Sequence, residues 1–264
     1  MNTYDPRFLT NSSKIDTSDI VWEEARRHGL TPDERFILTY FADIESQTIR
    51  YLRELLRLKI AFQPDIAAFL TTWSYEEFFH GEALSRLLAE CGYPLGKNRV
   101  EEVARQPKLN ERIEAIFGPI FSMVFANQLP AIYTTFGAIQ EMTTLRGYES
   151  LQRMTSNPVL AILCKRIAKQ ERRHFAWYFN KAREHLTDSR KSQFMTRRIL
   201  KFNWVPVGAG VKEKHEVVRV FDTLFPDDQG VETMNEIDAK MGSLPGLADI
   251  ELMRAFFAPG GQYR

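Results

Sequence analysis

The chain has 264 residues, with 35 basic and 34 acidic side chains and a formal net charge of +1. That balance excludes a general attraction to nucleic acid, and two cysteines, Cys91 and Cys164, are too few for a disulfide framework. Hydrophobic residues make up 44 %, no leader-like apolar run opens the chain and no apolar stretch reaches membrane-spanning length, so a soluble cytoplasmic protein with a sizeable core is expected.

The first ten or so residues read as an irregular arm. Residues 18–28 are amphipathic and are predicted helical as far as Gly29. Thr31 then offers a cap, Pro32 suits the first helical position and Glu34 completes a capping box, so one long helix is expected to run to about residue 59. Pro64-Asp65 opens the next helix, predicted to reach Glu90 before Gly92 and Pro94 stop it. A short helix is expected around 98–105, then a third long helical region over about 109–152, kinked or divided by Pro119 and Pro130. Ser156-Asn157-Pro158 is another capped start, with helical periodicity to His185. One more helix begins near Ser189, Pro206, Gly208 and Gly210 mark a break over 202–212, and the tail reads as short helices. Strand alternation is absent. Four long helices predict an all-α bundle: one domain over 1–264, with a bundle core at 30–186 and accessory helices at 187–264.

The strongest chemical signal is a repeated E-x-x-H: Glu77-Phe78-Phe79-His80 and Glu171-Arg172-Arg173-His174. Residues three apart on a helix share a face, so each motif presents a carboxylate and an imidazole in one direction. Glu45 lies near the middle of the first long helix, beside Tyr40, Phe41, Ala42 and Ile44. Glu141 is central in the helix after Pro130, with Gly137 one turn before it leaving room. The order Glu, Glu-x-x-His, Glu, Glu-x-x-His, one group per helix, is the pattern of a carboxylate-bridged di-iron or di-manganese bundle. Four carboxylates offset two divalent cations, and two imidazoles add nitrogen ligands that suit iron. Asp43, Glu76 and Glu149 compete with their neighbours for ligand roles and read instead as surface or supporting acids. His28, His185 and His215 read as structural or surface, and Cys164 as apolar packing. Trp73, Trp177 and Tyr178 should flank the cluster, as core packing first and as an electron relay second. Arg26, Arg27, Arg197 and Arg198 are candidate contacts for an acidic partner.

Trp73-Ser-Tyr-Glu-Glu-Phe-Phe-His80-Gly81 and Gln170-Glu171-Arg-Arg-His174 carry a resemblance. The chain resembles the soluble type 2 fatty acid desaturases, the acyl-acyl-carrier-protein desaturase family of the ferritin-like superfamily, whose motifs are a tryptophan before E-E-x-x-H-G and an acidic pair with E-x-R-H. The family's two lone ligand glutamates fall on Glu45 and Glu141, 32 and 30 residues before Glu77 and Glu171. The resemblance implies a ferritin-like four-helix bundle with peripheral helices. Two iron ions, with manganese as the alternative, would be held by Glu45, Glu77, His80, Glu141, Glu171 and His174. It further implies O₂ as cosubstrate, a ferredoxin-like electron donor, an acyl chain delivered on acyl-carrier protein, and a homodimer. Thr144 takes the place of a threonine beside the family's oxygen-binding face. Gln170 departs from the pattern, which has an acid there. An oxygenase acting on an amine or other small molecule, and a non-enzymatic iron-binding bundle, are the competing readings.

Overall fold

A computed structural model describes residues 11–56, 59–104 and 127–257. The described residues are all-α, with helices packed on one another and no strand. Spatial clustering divides the chain into two compact units. The first comprises Met1–Pro107 and Gly147–Gln170, the second Lys108–Arg146 and Glu171–Arg264. Two long helices, α6 (Leu129–Met154) and α7 (Pro158–Thr187), contribute to both.

In the first unit, α1 (Trp22–His28) ends at Gly29, whose φ of 68° is one that glycine adopts without strain. The predicted capping box begins α2 (Pro32–Ser46): Glu34 N–H donates to Thr31 Oγ1 at 3.2 Å, and Thr31 N–H donates to Glu34 Oε2 at 2.7 Å. The single helix expected to run to residue 59 is instead divided at Gln47, beyond which α3 spans Thr48–Leu55 and a 3-10 turn Lys59–Phe62. Two side-chain contacts, one local and one long-range, mark the division. Ser46 Oγ donates back to Ala42 O, a contact that bends helices. The buried Gln47 side chain is drawn away to donate to Val100 O at 3.1 Å.

The predicted Pro64–Glu90 helix is present as α4 and packs along α2. Their buried faces carry Ile37, Leu38 and Phe41 on one side and Ile66, Phe69, Leu70 and Leu84 on the other. The short predicted helix is α5 (Arg99–Ala104), and its Arg99 grips Asp43 with two hydrogen bonds of 2.8 and 2.6 Å. The capped start before Pro158 is also present. Asn157 Oδ1 accepts from Val159 and Leu160 N–H at 3.1 and 3.2 Å, while its Nδ2 donates to Ala25 O and Gly29 O. One side chain thus caps α7 and pins the end of α1. Both cysteines are free thiols: Cys91 Sγ donates to Ala25 O, and Cys164 is fully buried. Burial pushes both thiols above their ordinary pKa, and the Glu34 charge adds to it.

In the second unit, Pro130 falls in the first turn of α6, where its missing N–H costs nothing, so of the two expected outcomes it divides the region and does not kink a helix. The rest of the expected 109–152 region, with Pro119, lies outside the described residues up to 126. Beyond α7 come α8 (Arg190–Asn203), capped by Ser189, then the predicted break, α9 (Lys214–Leu224), α10 (Asp227–Gly242) and α11 (Leu252–Phe257). Asp238 of α10 accepts the N–H groups of Leu252, Met253 and Arg254, capping α11 from a distant position. Phe221 stacks on Phe257 with ring centroids 3.9 Å apart, tying α9 to α11.

Candidate metal centre

The first unit carries one Glu–Glu–His group. Glu45 projects from α2, and Glu77 and His80 from successive turns of α4. Gly81 lets these helices approach: a Cβ there would lie 3.3 Å from Ser46 Oγ and 3.4 Å from Glu45 Cβ. All three ligand candidates are buried, and one donor atom from each lies within 4.8 Å of the others. His80 Nδ1 is 3.7 Å from Glu77 Oε2. Tyr148, fully buried against Phe41, donates its hydroxyl to Glu45 Oε1 at 2.6 Å. This support was missed in the sequence reading, although Tyr148 lies seven residues after Glu141 and so on the same face of α6.

The second unit repeats the arrangement with Glu141 from α6 and Glu171 and His174 from α7. Donor atoms of these three buried residues also lie within 4.8 Å of one another. His174 Nδ1 is 3.4 Å from Glu171 Oε2 and 3.6 Å from Glu141 Oε2. The room that Gly137 leaves is taken by Tyr178, since a Cβ at position 137 would sit 2.4 Å from its ring. From there the Tyr178 hydroxyl meets that of Tyr133 at 2.6 Å, in a buried pair. Burial pushes the Tyr133 phenol well up; its bond to Tyr178 works against this and the Glu141 charge adds to it. Thr144, one turn past Glu141, is half-buried.

The other candidates occupy different places. Asp43 is neutralised by Arg99. Glu76, read as a surface or supporting acid, is fully buried and accepts the Ser13 N–H at 3.0 Å, so the supporting role is the one it takes. Gln170 bridges Ser13 and His80, with bonds of 2.7 Å to each. Trp73 stacks on Phe69, and Trp177 packs edge-on against Tyr178, both in buried aromatic surroundings. The exposed arginines are partly engaged at the surface: Arg26 pairs with Glu90, Arg27 with Glu24, Arg197 bonds Ala248 O, and Arg198 lies over Phe202.

Each group offers two carboxylates and one imidazole away from water. Burying ionised carboxylates is costly without a compensating cation, and this donor set is one that iron, manganese or zinc accepts. The residues present therefore fit divalent metal.

Helices that bury two Glu–Glu–His groups define an all-α protein whose carboxylates and histidines could hold metal. The fatty acid desaturase family model matches residues 58–205, more than half of the chain, and the chain belongs to that family. The matched stretch includes Glu77, His80, Glu141, Thr144, Glu171 and His174, while Glu45 precedes it. No curated protein is similar enough to count as a match. Among the described residues, no helix is long and apolar enough to cross a membrane. Family membership makes the protein an oxidoreductase.

Proposed function

We propose that the protein is an O₂-dependent di-iron acyl desaturase in which Glu45, Glu77, His80, Glu141, Glu171 and His174 hold two iron ions. The observation that carries this reading is the duplicated buried Glu–Glu–His group inside a chain of the fatty acid desaturase family. Together the six residues would supply four carboxylates and two imidazoles to the metal. The bound iron supplies dioxygen activation. The overall conversion is –CH₂–CH₂– + O₂ + 2 e⁻ + 2 H⁺ → –CH=CH– + 2 H₂O, so the protein needs an electron donor, taken to be ferredoxin-like. The acyl chain is taken to arrive on acyl-carrier protein, with the enzyme acting as a homodimer.

The chain's own residues have narrower tasks. Tyr148 holds one Glu45 oxygen by hydrogen bond and so restricts the directions in which that carboxylate donates. Thr144, on the Glu141 face of α6, is assigned to passing a proton where oxygen is reduced. Buried aromatic residues such as Trp73, Tyr133 and Tyr178 keep bulk water away.

The test is reconstitution with Fe²⁺, metal analysis, and turnover of acyl-carrier-protein substrates with ferredoxin, its reductase, NADPH and O₂. Two irons per chain and a product lighter by two hydrogens are expected. A product that gains oxygen instead points to an oxygenase, and absence of bound metal overturns the reading.

A further inference from the structure

His80, Gln170, Ser13 and Glu76 form one run of hydrogen bonds within the first unit, and the chemistry of its members fixes where the protons lie. Gln170 Nε2 is 2.7 Å from the main-chain oxygen of Ser13, which can only accept, so the NH₂ end of the amide belongs on that side. The amide oxygen then faces His80 Nε2 at 2.7 Å. That oxygen can only accept as well, so His80 Nε2 carries the proton. In the neutral ring Nδ1 is left with the lone pair, and it lies on the Glu77 side, 3.7 Å from Oε2. The Ser13 peptide is held from its other end too, its N–H donating to Glu76 Oε1 at 3.0 Å. Glu76 and His80 are fully buried and Gln170 nearly so, which shields the His80–Gln170 bond from water.

We infer that Gln170 is a positioning residue for the proposed metal centre: anchored on the Ser13 main chain, it imposes the Nε2–H tautomer on His80 and so presents Nδ1 to the metal. This rests on the reading that His80 is a ligand. An acid at position 170 could also accept from His80, but its second oxygen would face the Ser13 carbonyl with no proton to give. The neutral amide and the docked Ser13 segment therefore belong together. A neutral partner also pushes less electron density through the imidazole than a carboxylate would, which would leave a bound metal easier to reduce. Ser13 contributes only backbone, its own side chain being exposed.

The experiment uses the full chain in three states, metal-free, Co²⁺-titrated and iron-loaded. In metal-free, ¹⁵N-histidine-labelled protein, long-range ¹H–¹⁵N spectra read the His80 tautomer directly. In the second state, Co²⁺ is titrated and followed by its visible absorption, with circular dichroism as the control for folding. Wild type should show Nε2–H at His80 and bind two Co²⁺. Gln170→Leu should mix the tautomers and weaken Co²⁺ binding by about 10- to 100-fold at unchanged helicity. Gln170→Glu should keep the tautomer, lose the Ser13 bond and lower the reduction potential of the iron-loaded protein. Ser13→Pro, which lacks the N–H, should loosen the site several-fold, whereas Ser13→Ala should be silent. Should Gln170→Leu fail to fold, the tautomer and potential of Gln170→Glu decide the question in its place. Wild type that binds no Co²⁺ removes the metal reading and this inference with it. Wild type that binds two Co²⁺ beside a Gln170→Leu variant of equal affinity and tautomer leaves the metal reading standing and refutes the role of Gln170.

Discussion

Glu77 and His80 are one turn apart on α4, and both point into the same buried group as Glu45. Glu77→Gln keeps the size and removes the charge that the proposed ligand role needs. Iron binding should weaken by at least about tenfold and O₂-dependent turnover should nearly vanish, because even residues outside the ligand set commonly cost that much affinity. Metal analysis and oxygen consumption on one sample check this, and full occupancy with normal turnover would contradict the assignment. Thr144→Val should leave both metals bound while product yield per O₂ consumed falls. Gly137→Ala acts without touching a ligand. Its Cβ would meet the Tyr178 ring at 2.4 Å, so Tyr178 must leave Tyr133 or α6 must shift. A loss of about 1–3 kcal/mol is expected in denaturant unfolding, as for other overpacked sites. Six ligand candidates were legible in the sequence because i, i+3 spacing repeats twice and one lone glutamate precedes each repeat. Tyr148, Ser13 and the part played by Gln170 were not, because each depends on a contact between distant segments that no local spacing encodes.

At the level of helices, the starts were readable and one interior break was not. Thr31–Glu34, Pro64 and Asn157 announce helix starts through chemistry confined to four or five residues, and each start lies where that chemistry places it. Gln47 divides the first long helix for a tertiary reason, the pull of Val100 O on its amide. Asn157 does more than its local role requires. Asn157→Ala would remove the cap of α7 and orphan the Ala25 and Gly29 carbonyls that its amide satisfies. The combined loss should reach about 2–3 kcal/mol, above the ~1 kcal/mol of an ordinary cap, and Asn157→Ser should recover only the capping share. Equilibrium unfolding of the two variants separates the contributions: equal losses would show that the cap carries no weight, and full recovery in Asn157→Ser that the bonds to α1 carry none.

For the molecule as a whole, the all-α class followed from helical periodicity and the absence of alternation, and the described residues bear it out. The division into two compact units did not, since it cuts α6 and α7 within their lengths where the sequence shows no linker. The buried acids have a global consequence. A ligand that binds the folded chain alone stabilises it by about 2.7 kcal/mol per site at a hundredfold excess over its dissociation constant. Fe²⁺ or Mn²⁺ should therefore raise the midpoint of thermal unfolding by several degrees, and a chelator should reverse the shift. A midpoint indifferent to metal would mean that the carboxylates are accommodated in some other way.

The two thiols carry a further meaning for a protein proposed to handle dioxygen. Thiolates are the form of cysteine that oxidants and electrophiles attack, and burial keeps both Cys91 and Cys164 protonated at neutral pH. Partly reduced oxygen that escaped the reaction would thus meet a folded chain whose cysteines are held as thiols. Native protein should take up iodoacetamide far more slowly than the same protein in denaturant. Repeated turnover should leave both cysteines free of sulfinic acid, so that inactivation, when it comes, has to be sought at other residues.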